Sequence, residues 1–445
     1  MTLSRRAMLS GALGAAGAGL VAGPAAADDG DPTSRPVTVE LAGDPAGGEG
    51  PAIGMPQRPV ATGLEVLRDS GWATLSGQRV GVISNPTGLD HDYRHGVDLM
   101  HADDRVDIVA VFGPEHGFRG SAQAGGSEGT GIDQRTGLTV YDAYGAGVTK
   151  FVTMFERAGV QTVVFDIQDV GSRFYTYIWT LYQSMVAAAR LGLRYVVLDR
   201  PNPIGGTADG PMMTSYYTSG VGLREIVQQH GMTVGELAGF FNGEFLGNEA
   251  GAVDLDVVWC QDWRRDVRYG DLDLPWVLPS PNMPTPDTAL VYPGTGMFEG
   301  VADISEGRGT TRPFELIGSP DLDYHWCDRL NERGLPGVEF REAYFNPTFH
   351  KFAGRLCAGV EVKVTDPRSC DPVAAGVAML IDAKGKFTWR QDSWDPARPF
   401  WIDKLTGSPR LRTMIDAGAG LEDVVAAWTG ELSAFTKQRE KYLLY

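Results

Sequence analysis

Cysteine and histidine are scarce, with four and seven among 445 residues. The cysteines (Cys260, Cys327, Cys357, Cys370) form no C-x-x-C pair and no zinc spacing, which argues against a structural zinc site or a dithiol redox centre. Buried free thiols are the expected state. No H-E-x-x-H is present, and His91 and His95 sit in a Gly/Asp-rich stretch, where they are expected on the surface rather than on a metal. Cations are in deficit: Lys+Arg 39 against Asp+Glu 56, a net charge of −17. Phosphate binding needs clustered cations, so this balance excludes nucleic acid as a partner and disfavours a polybasic membrane anchor. No segment after the N-terminal leader approaches the ~18 consecutive apolar residues of a membrane span. A dinucleotide fingerprint is missing, since Gly113-x-x-x-Gly117-x-x-Gly120 has the wrong spacing. So are a G-K-[ST] phosphate loop and a G-x-S-x-G elbow. Neither a cofactor nor a metal is called for.

What is present is ordinary for a globular chain: 43% hydrophobic, 21% charged, 58 Gly and 27 Pro. The chain opens with Arg5-Arg6, a soft Gly/Ala-rich apolar run and Ala25-Ala-Ala27 before Asp28. This pattern predicts a twin-arginine export signal over residues 1–27 and an extracytoplasmic location. Losing Arg5 and Arg6 and no acid moves the net charge from −17 to −19. Residues 28–58, rich in Asp, Gly, Pro and Ala, read as a flexible linker.

From residue 59 short β-branched runs alternate with helical stretches. The runs are Arg79-Val-Gly-Val-Ile-Ser84, Asp107-Ile-Val-Ala-Val-Phe112, Thr162-Val-Val-Phe-Asp166 and Arg194-Tyr-Val-Val-Leu-Asp199. Continuous apolar runs suit strands buried on both faces. Residues 177–191 read as a helix, and Thr233 with Glu236 as the capping box of another. The prediction is an α/β fold: a Rossmann-like parallel-sheet domain over residues 59–278 and a smaller α+β domain over residues 279–445. Each run ends in a polar tip: Asn85-Pro-Thr-Gly88, Gly113-Pro-Glu-His-Gly-Phe-Arg-Gly120, Gln168-Asp-Val-Gly-Ser-Arg-Phe-Tyr-Thr-Tyr177 and Arg200-Pro-Asn-Pro-Ile-Gly-Gly206. Ligands bind at the carboxyl edge of open parallel sheets, so four tips there converge on one cleft. The Pro-rich segment 274–286 is expected to cross it in extended form. In the second half, residues 355–364 read as a strand, and residues 371–383 and 421–443 as helical.

Glu115 beside His116, on a Gly-flanked turn, is the most reactive-looking pair. A carboxyl in a partly dry cleft suits a general acid, and His116 is expected to tune it or hold substrate. Asp169 and Glu306 are candidates for a second carboxylate, since paired carboxylates are the usual equipment of glycoside cleavage. Arg173, Arg308 and Arg312 are candidate clamps for a substrate carboxylate. Tyr175, Tyr177, Trp179 and Phe298 offer ring faces for a sugar or belong to the core. Asn85, Arg119, Gln168, Arg200, Asn202, Glu299 and His350 complete the expected binding set.

The chain resembles the NamZ-type exo-β-N-acetylmuramidases, a glycoside hydrolase family. The likeness runs from Gly63 to about residue 383. It is carried by the first three strand-and-tip segments, Leu198-Asp-Arg-Pro-Asn-Pro203, His230-Gly-Met-Thr-Val-Gly-Glu-Leu-Ala238 and Ser305-Glu-Gly-Arg-Gly-Thr-Thr-Arg-Pro-Phe-Glu315. The resemblance implies a site between a Rossmann-like and a smaller domain. It also implies release of N-acetylmuramic acid from the non-reducing end of peptide-free peptidoglycan fragments (MurNAc-GlcNAc). The family's Glu-His pair falls on Glu115 and His116. Two departures stand out: Asn85-Pro-Thr-Gly88 for Asn-Gln-Thr-Gly, and Asp209-Gly-Pro211 for Glu-Gly-Pro. Rival readings are a non-catalytic binder of wall sugars and an esterase or deacetylase on the same glycans.

Overall fold

Alternate residues of the apolar runs pack into different cores. Val163 and Phe165 join Phe112, Phe151 and Phe155 on one side of a sheet. Val164 joins Val80, Val82 and Val111 on the other. A strand whose successive side chains are all apolar has both faces covered, and helices supply the cover.

The computed structural model describes residues 59–445 apart from Ala124; the expected leader and linker lie outside the described residues. Its strands are β1 (Arg79–Ser84), β2 (Asp107–Gly113), β3 (Gly131–Ile132), β4 (Thr139–Asp142), β5 (Thr162–Asp166), β6 (Arg194–Leu198), β7 (Asp209–Met212), β8 (Val227–Gln229), β9 (Asp254–Val258), β10 (Leu316–Ser319), β11 (Val338–Phe345) and β12 (Cys357–Val364). The large sheet has the order β3-β4-β2-β1-β5-β6-β9. All its pairings are parallel except β3 with β4. The chain grows outward from β1 through β2 and β4, then returns to β5 on β1's other side. That reversal opens a crevice at the carboxyl ends of β1, β2 and β5. The α/β expectation holds, with the helix Tyr177–Leu191 and the Thr233–Glu236 capping box as read. Among the described residues no helix is long and apolar enough to cross a membrane.

The smaller part has an antiparallel sheet, β10-β12-β11, backed by the helices Tyr324–Glu332 and Pro372–Asp382. Residues 421–443 are not one helix but Leu421–Ala426, Thr429–Arg439 and a final turn. Residues 274–285 are irregular, as their prolines require. They lead into the helix Pro286–Thr295, which packs on Pro372–Asp382 through Gly294 and Gly376. A Cβ on Gly294 would lie 1.8 Å from the Pro372 carbonyl oxygen, so only glycine permits this approach.

All four thiols are free; Cys260, Cys327 and Cys357 are buried and Cys370 is half-buried. His95 is not a surface residue. Its Nε2 bonds to the Asn85 carbonyl at 2.9 Å and its Nδ1 accepts from Val97 N–H, so burial and helix capping claim both nitrogens. His91 is tied to Glu65 at 2.5 Å.

The last segment of the chain returns to the first half. Arg439 is buried and donates to the carbonyls of Gly206, His230 and Gly231. The Tyr445 hydroxyl donates to buried Asp199 at 2.7 Å and accepts from Cys260 N–H at 2.8 Å. Burial, opposed by these donors, still pushes Asp199 up to about 6. Tyr445→Phe should cost about 1–3 kcal/mol of stability, because it leaves Cys260 N–H without its acceptor and takes one donor from Asp199, which keeps Thr233 and Gly235. Urea denaturation checks this, and an unchanged midpoint would show the clasp to be idle.

Candidate active site

Three adjoining cavities run along the crevice. The central one, about 180 Å³, is lined by Glu115, His116, Tyr175 and Tyr177 from the sheet side. Ser280, Tyr292, Glu299 and Arg308 line it from the other. Through Glu299 and Arg308 it opens into a cavity of about 530 Å³ that includes Gln123, Asn282, Phe349, His350 and Arg390. Through Glu115 and Thr176 it opens into a third, about 390 Å³, with Tyr144, Trp179 and Gln183 on its wall. These are ordinary ligand-site dimensions.

Glu115 follows β2. Its Oε1 accepts from Gly125 N–H at 2.9 Å and its Oε2 from the Thr176 hydroxyl at 3.4 Å. His116 has φ 71°, a left-handed conformation that costs a non-glycine residue energy and is found at constrained sites. Its Nδ1 lies 3.0 Å from the Ala122 carbonyl. Nδ1 is therefore the donor, and in the neutral ring Nε2 keeps the lone pair. Pro86, the departure beside Asn85, packs on Gly120, where an added Cβ would sit 2.4 Å from its Cγ. The β1 tip thus braces the Glu115 loop. Burial pushes the Tyr175 phenol well above its usual range and that of Tyr177 upward, so both stay neutral hydroxyls.

On the opposite wall, Arg308 Nη2 donates to Glu299 Oε1 at 2.6 Å. Burial works to discharge Arg308, but Glu299 and Glu306 outweigh it and the guanidinium stays charged. The helix Pro286–Thr295 and the following turn Gly296–Gly300 carry Tyr292 and Glu299 to this wall.

Several expected residues serve the frame instead. Glu306 is fully buried beneath the wall, 2.8 Å from Lys351 Nζ and 3.1 Å from His350 Nδ1. Burial favours its neutral form, but Lys351 and His350 prevail and hold it at about 2, below its ordinary 4.5. Asp169 is buried too, accepting from Gly171 N–H at 2.7 Å and pairing with His230 Nε2 at 3.1 Å. Neither lines the central cavity. Arg173 is wholly enclosed by the carbonyls of Pro211, Ile226 and Leu405. Arg200 is buried against Asp166 at 2.6 Å, and Arg119 is held by Asp98 and Asp133. Arg312 pairs with Glu315 at 3.0 Å. Asn202 and Gln168 spend their amides on backbone carbonyls, and Asn85 caps its own turn through Thr87. None of these lines the central cavity; each is engaged by backbone or by a carboxylate of the frame. Phe298 is core, whereas Trp179 lines the third cavity. Asp209 lies away from the cleft; burial and the neighbouring Asp371 push it up to about 7.

Sequence reasoning missed Arg390, Tyr144, Tyr292 and Asn282. Of these Asn282 sat in the Pro-rich segment 274–286 that had drawn notice, and Arg390 carried no local signal. Among the described residues no group of three or more His, Cys, Asp or Glu is arranged to hold a metal.

The Glu306 ion cluster gives a pH prediction. A carboxylate with a depressed folded-state value contributes stability above its unfolded value and loses it as pH falls toward the folded one. The stability gap between wild type and Glu306→Gln should therefore be full above about pH 4.5 and close as pH approaches about 2. A gap independent of pH across that window would contradict the assigned pairing.

A Rossmann-like sheet joined to an antiparallel domain, with carboxylates from both parts in one cavity, has the build of a glycoside hydrolase. More narrowly, the chain belongs to the NamZ exo-β-N-acetylmuramidase family: the family's N-terminal model matches residues 80–287 and its C-terminal model residues 290–445. It is 43% identical over 388 residues to the peptidoglycan β-N-acetylmuramidase NamZ of Bacillus subtilis strain 168, covering 87% of this chain and 91% of that protein. Two crystal structures of DUF1343 family proteins from Bacteroides fragilis match 87% of this chain and 99% of theirs. They do so with TM-scores of 0.77 and 0.70 at 32% and 30% identity.

Proposed function

We propose that this chain is a β-N-acetylmuramidase that removes N-acetylmuramic acid from the non-reducing end of peptide-free peptidoglycan fragments. One observation carries the reading: Glu115 and Glu299, from opposite parts of the chain, line a single cavity together with Arg308, which is bonded to Glu299. In this reading Glu115 protonates the leaving glycosidic oxygen, aided by His116. Glu299, paired with Arg308 at 2.6 Å, is the second carboxylate and faces the developing positive charge of the sugar ring. It replaces Asp169 and Glu306 in that role, because both are enclosed and engaged with cations or backbone. Tyr175 offers a neutral hydroxyl to the sugar, whereas that of Tyr177 donates to the Pro279 carbonyl at 2.6 Å.

The lactyl group of muramic acid is charged only when no peptide is attached. Arg308 and His350 favour the free carboxylate. An amide-cleaving reaction must then precede this one. Export is part of the same proposal, supported by the Arg5-Arg6 leader and by where wall fragments occur.

Incubation of the purified protein with MurNAc-GlcNAc, followed by mass spectrometry, tests this. Free N-acetylmuramic acid is the expected product. An intact disaccharide that binds saturably would favour a binding protein, and one that loses acetyl groups a deacetylase.

A further inference from the structure

The two cavities that flank the central one differ in charge. The larger carries Arg308, His350 and Arg390. The other, beyond Glu115, is lined by Tyr144, the glycines beside it, Thr176, Trp179 and Gln183, and has no cation on its wall. Arg390 is placed deliberately. Its N–H donates to the Gly300 carbonyl at 2.9 Å, and its carbonyl accepts from Trp401 N–H at 3.0 Å. It is therefore fixed beside Glu299. Its guanidinium lies 4.9 Å from the Trp401 ring centroid, with one nitrogen 3.1 Å from Asp392. A guanidinium has five N–H donors, so most remain for a ligand. Tyr144 is 36% exposed, at the far end, on the loop after β4.

We propose that the cleft is polarised: the lactyl carboxylate seats on Arg390 and Arg308, and the departing sugar occupies the cation-free pocket beside Glu115, against Tyr144. Arg390 is then a specificity-determining residue and Tyr144 the leaving-group platform. The inference rests on the glycosidase reading but fixes the direction in which the glycan lies. An anion placed in this cation-free pocket would be desolvated without a partner and set beside the Glu115 carboxyl on its wall, whereas a neutral N-acetylated sugar meets hydroxyls, an amide, aliphatic and ring faces and the Glu115 carboxyl there. Charge thus decides between the two orientations.

Calorimetric binding of N-acetylmuramic acid and N-acetylglucosamine to the full chain tests the first half. Wild type should prefer the sugar acid. Arg390→Gln should reduce that preference by about 10- to 100-fold, the worth of a charge-assisted carboxylate pair, and Arg390→Lys should restore part of it. The second half is kinetic. Tyr144→Ala should raise KM for MurNAc-GlcNAc relative to a methyl β-muraminide by about 10-fold, the worth of a lost ring–sugar contact. An Arg390→Gln protein with an unchanged preference, or an unchanged KM ratio in Tyr144→Ala, overturns the assignment. If wild type binds the sugar acid through Arg390 yet turns nothing over, the glycosidase reading fails and the polarity stands. If turnover is intact while preference ignores Arg390, the reverse holds.

Discussion

Glu115→Gln should lower kcat on MurNAc-GlcNAc by about 10²–10⁴-fold, the usual contribution of a positioned general acid. The amide is nearly isosteric, keeps an oxygen to accept from Gly125 N–H and turns an NH2 that can donate to the Thr176 hydroxyl oxygen, so the loop should stay in place and KM should change little. What disappears is the transferable proton. The deficit should therefore depend on the leaving group. A nitrophenyl aglycone departs without a proton, so on nitrophenyl β-N-acetylmuraminide the loss should be much smaller. Comparing the two substrates separates an acid from a residue that merely shapes the cavity. Equal losses on both would remove Glu115 from the role, and unchanged turnover would remove it from the mechanism.

The largest stability effect is expected at Arg173. Its side chain is fully buried, and burial, opposed by the charge of Glu431, draws the guanidinium down to about 9. Three charge-assisted bonds to backbone carbonyls offset that desolvation. Pro211 and Ile226 come from the first half of the chain and Leu405 from the second. Arg173→Leu removes the desolvation cost but takes a donor from three carbonyls, of which Ile226 retains Met213 N–H, at about 1–3 kcal/mol for each acceptor left unpaired, only partly additive. The orphaned acceptors win, and a net loss of about 3–5 kcal/mol is expected in urea denaturation. A loss below about 1 kcal/mol would mean that water or rearranged backbone satisfies those carbonyls.

Local physics made the sheet half readable. Runs such as Thr162-Val-Val-Phe-Asp166 can bury every side chain only as a central strand, and the polar tips followed from that edge. The capping box at Thr233 was legible because both partners lie within four residues. The helix Pro286–Thr295 was not, since Pro293 and Gly294 inside it run against propensity. It forms because tertiary packing on Gly376 overrides that preference. The site divided in the same way. Glu115 and His116 stood out through their turn. Which arginine faces ligand and which serves backbone depends on carbonyls brought from as far as residue 405, and no local pattern records that. Arg173 and Arg390 were misjudged in opposite directions for this one reason.

The return of the last segment to the sheet has a consequence for how the molecule is made. A nascent chain that has emerged only as far as residue 430 carries β1 through β9 in full, yet the carbonyls of Gly206, His230 and Gly231 still await Arg439 and Asp199 still awaits Tyr445. The loops that follow β6 and β8 are thus among the last parts of the sheet half to be sealed. Any tag or partner fused after Tyr445 has to leave that ring free to dock, or the sheet remains unlatched.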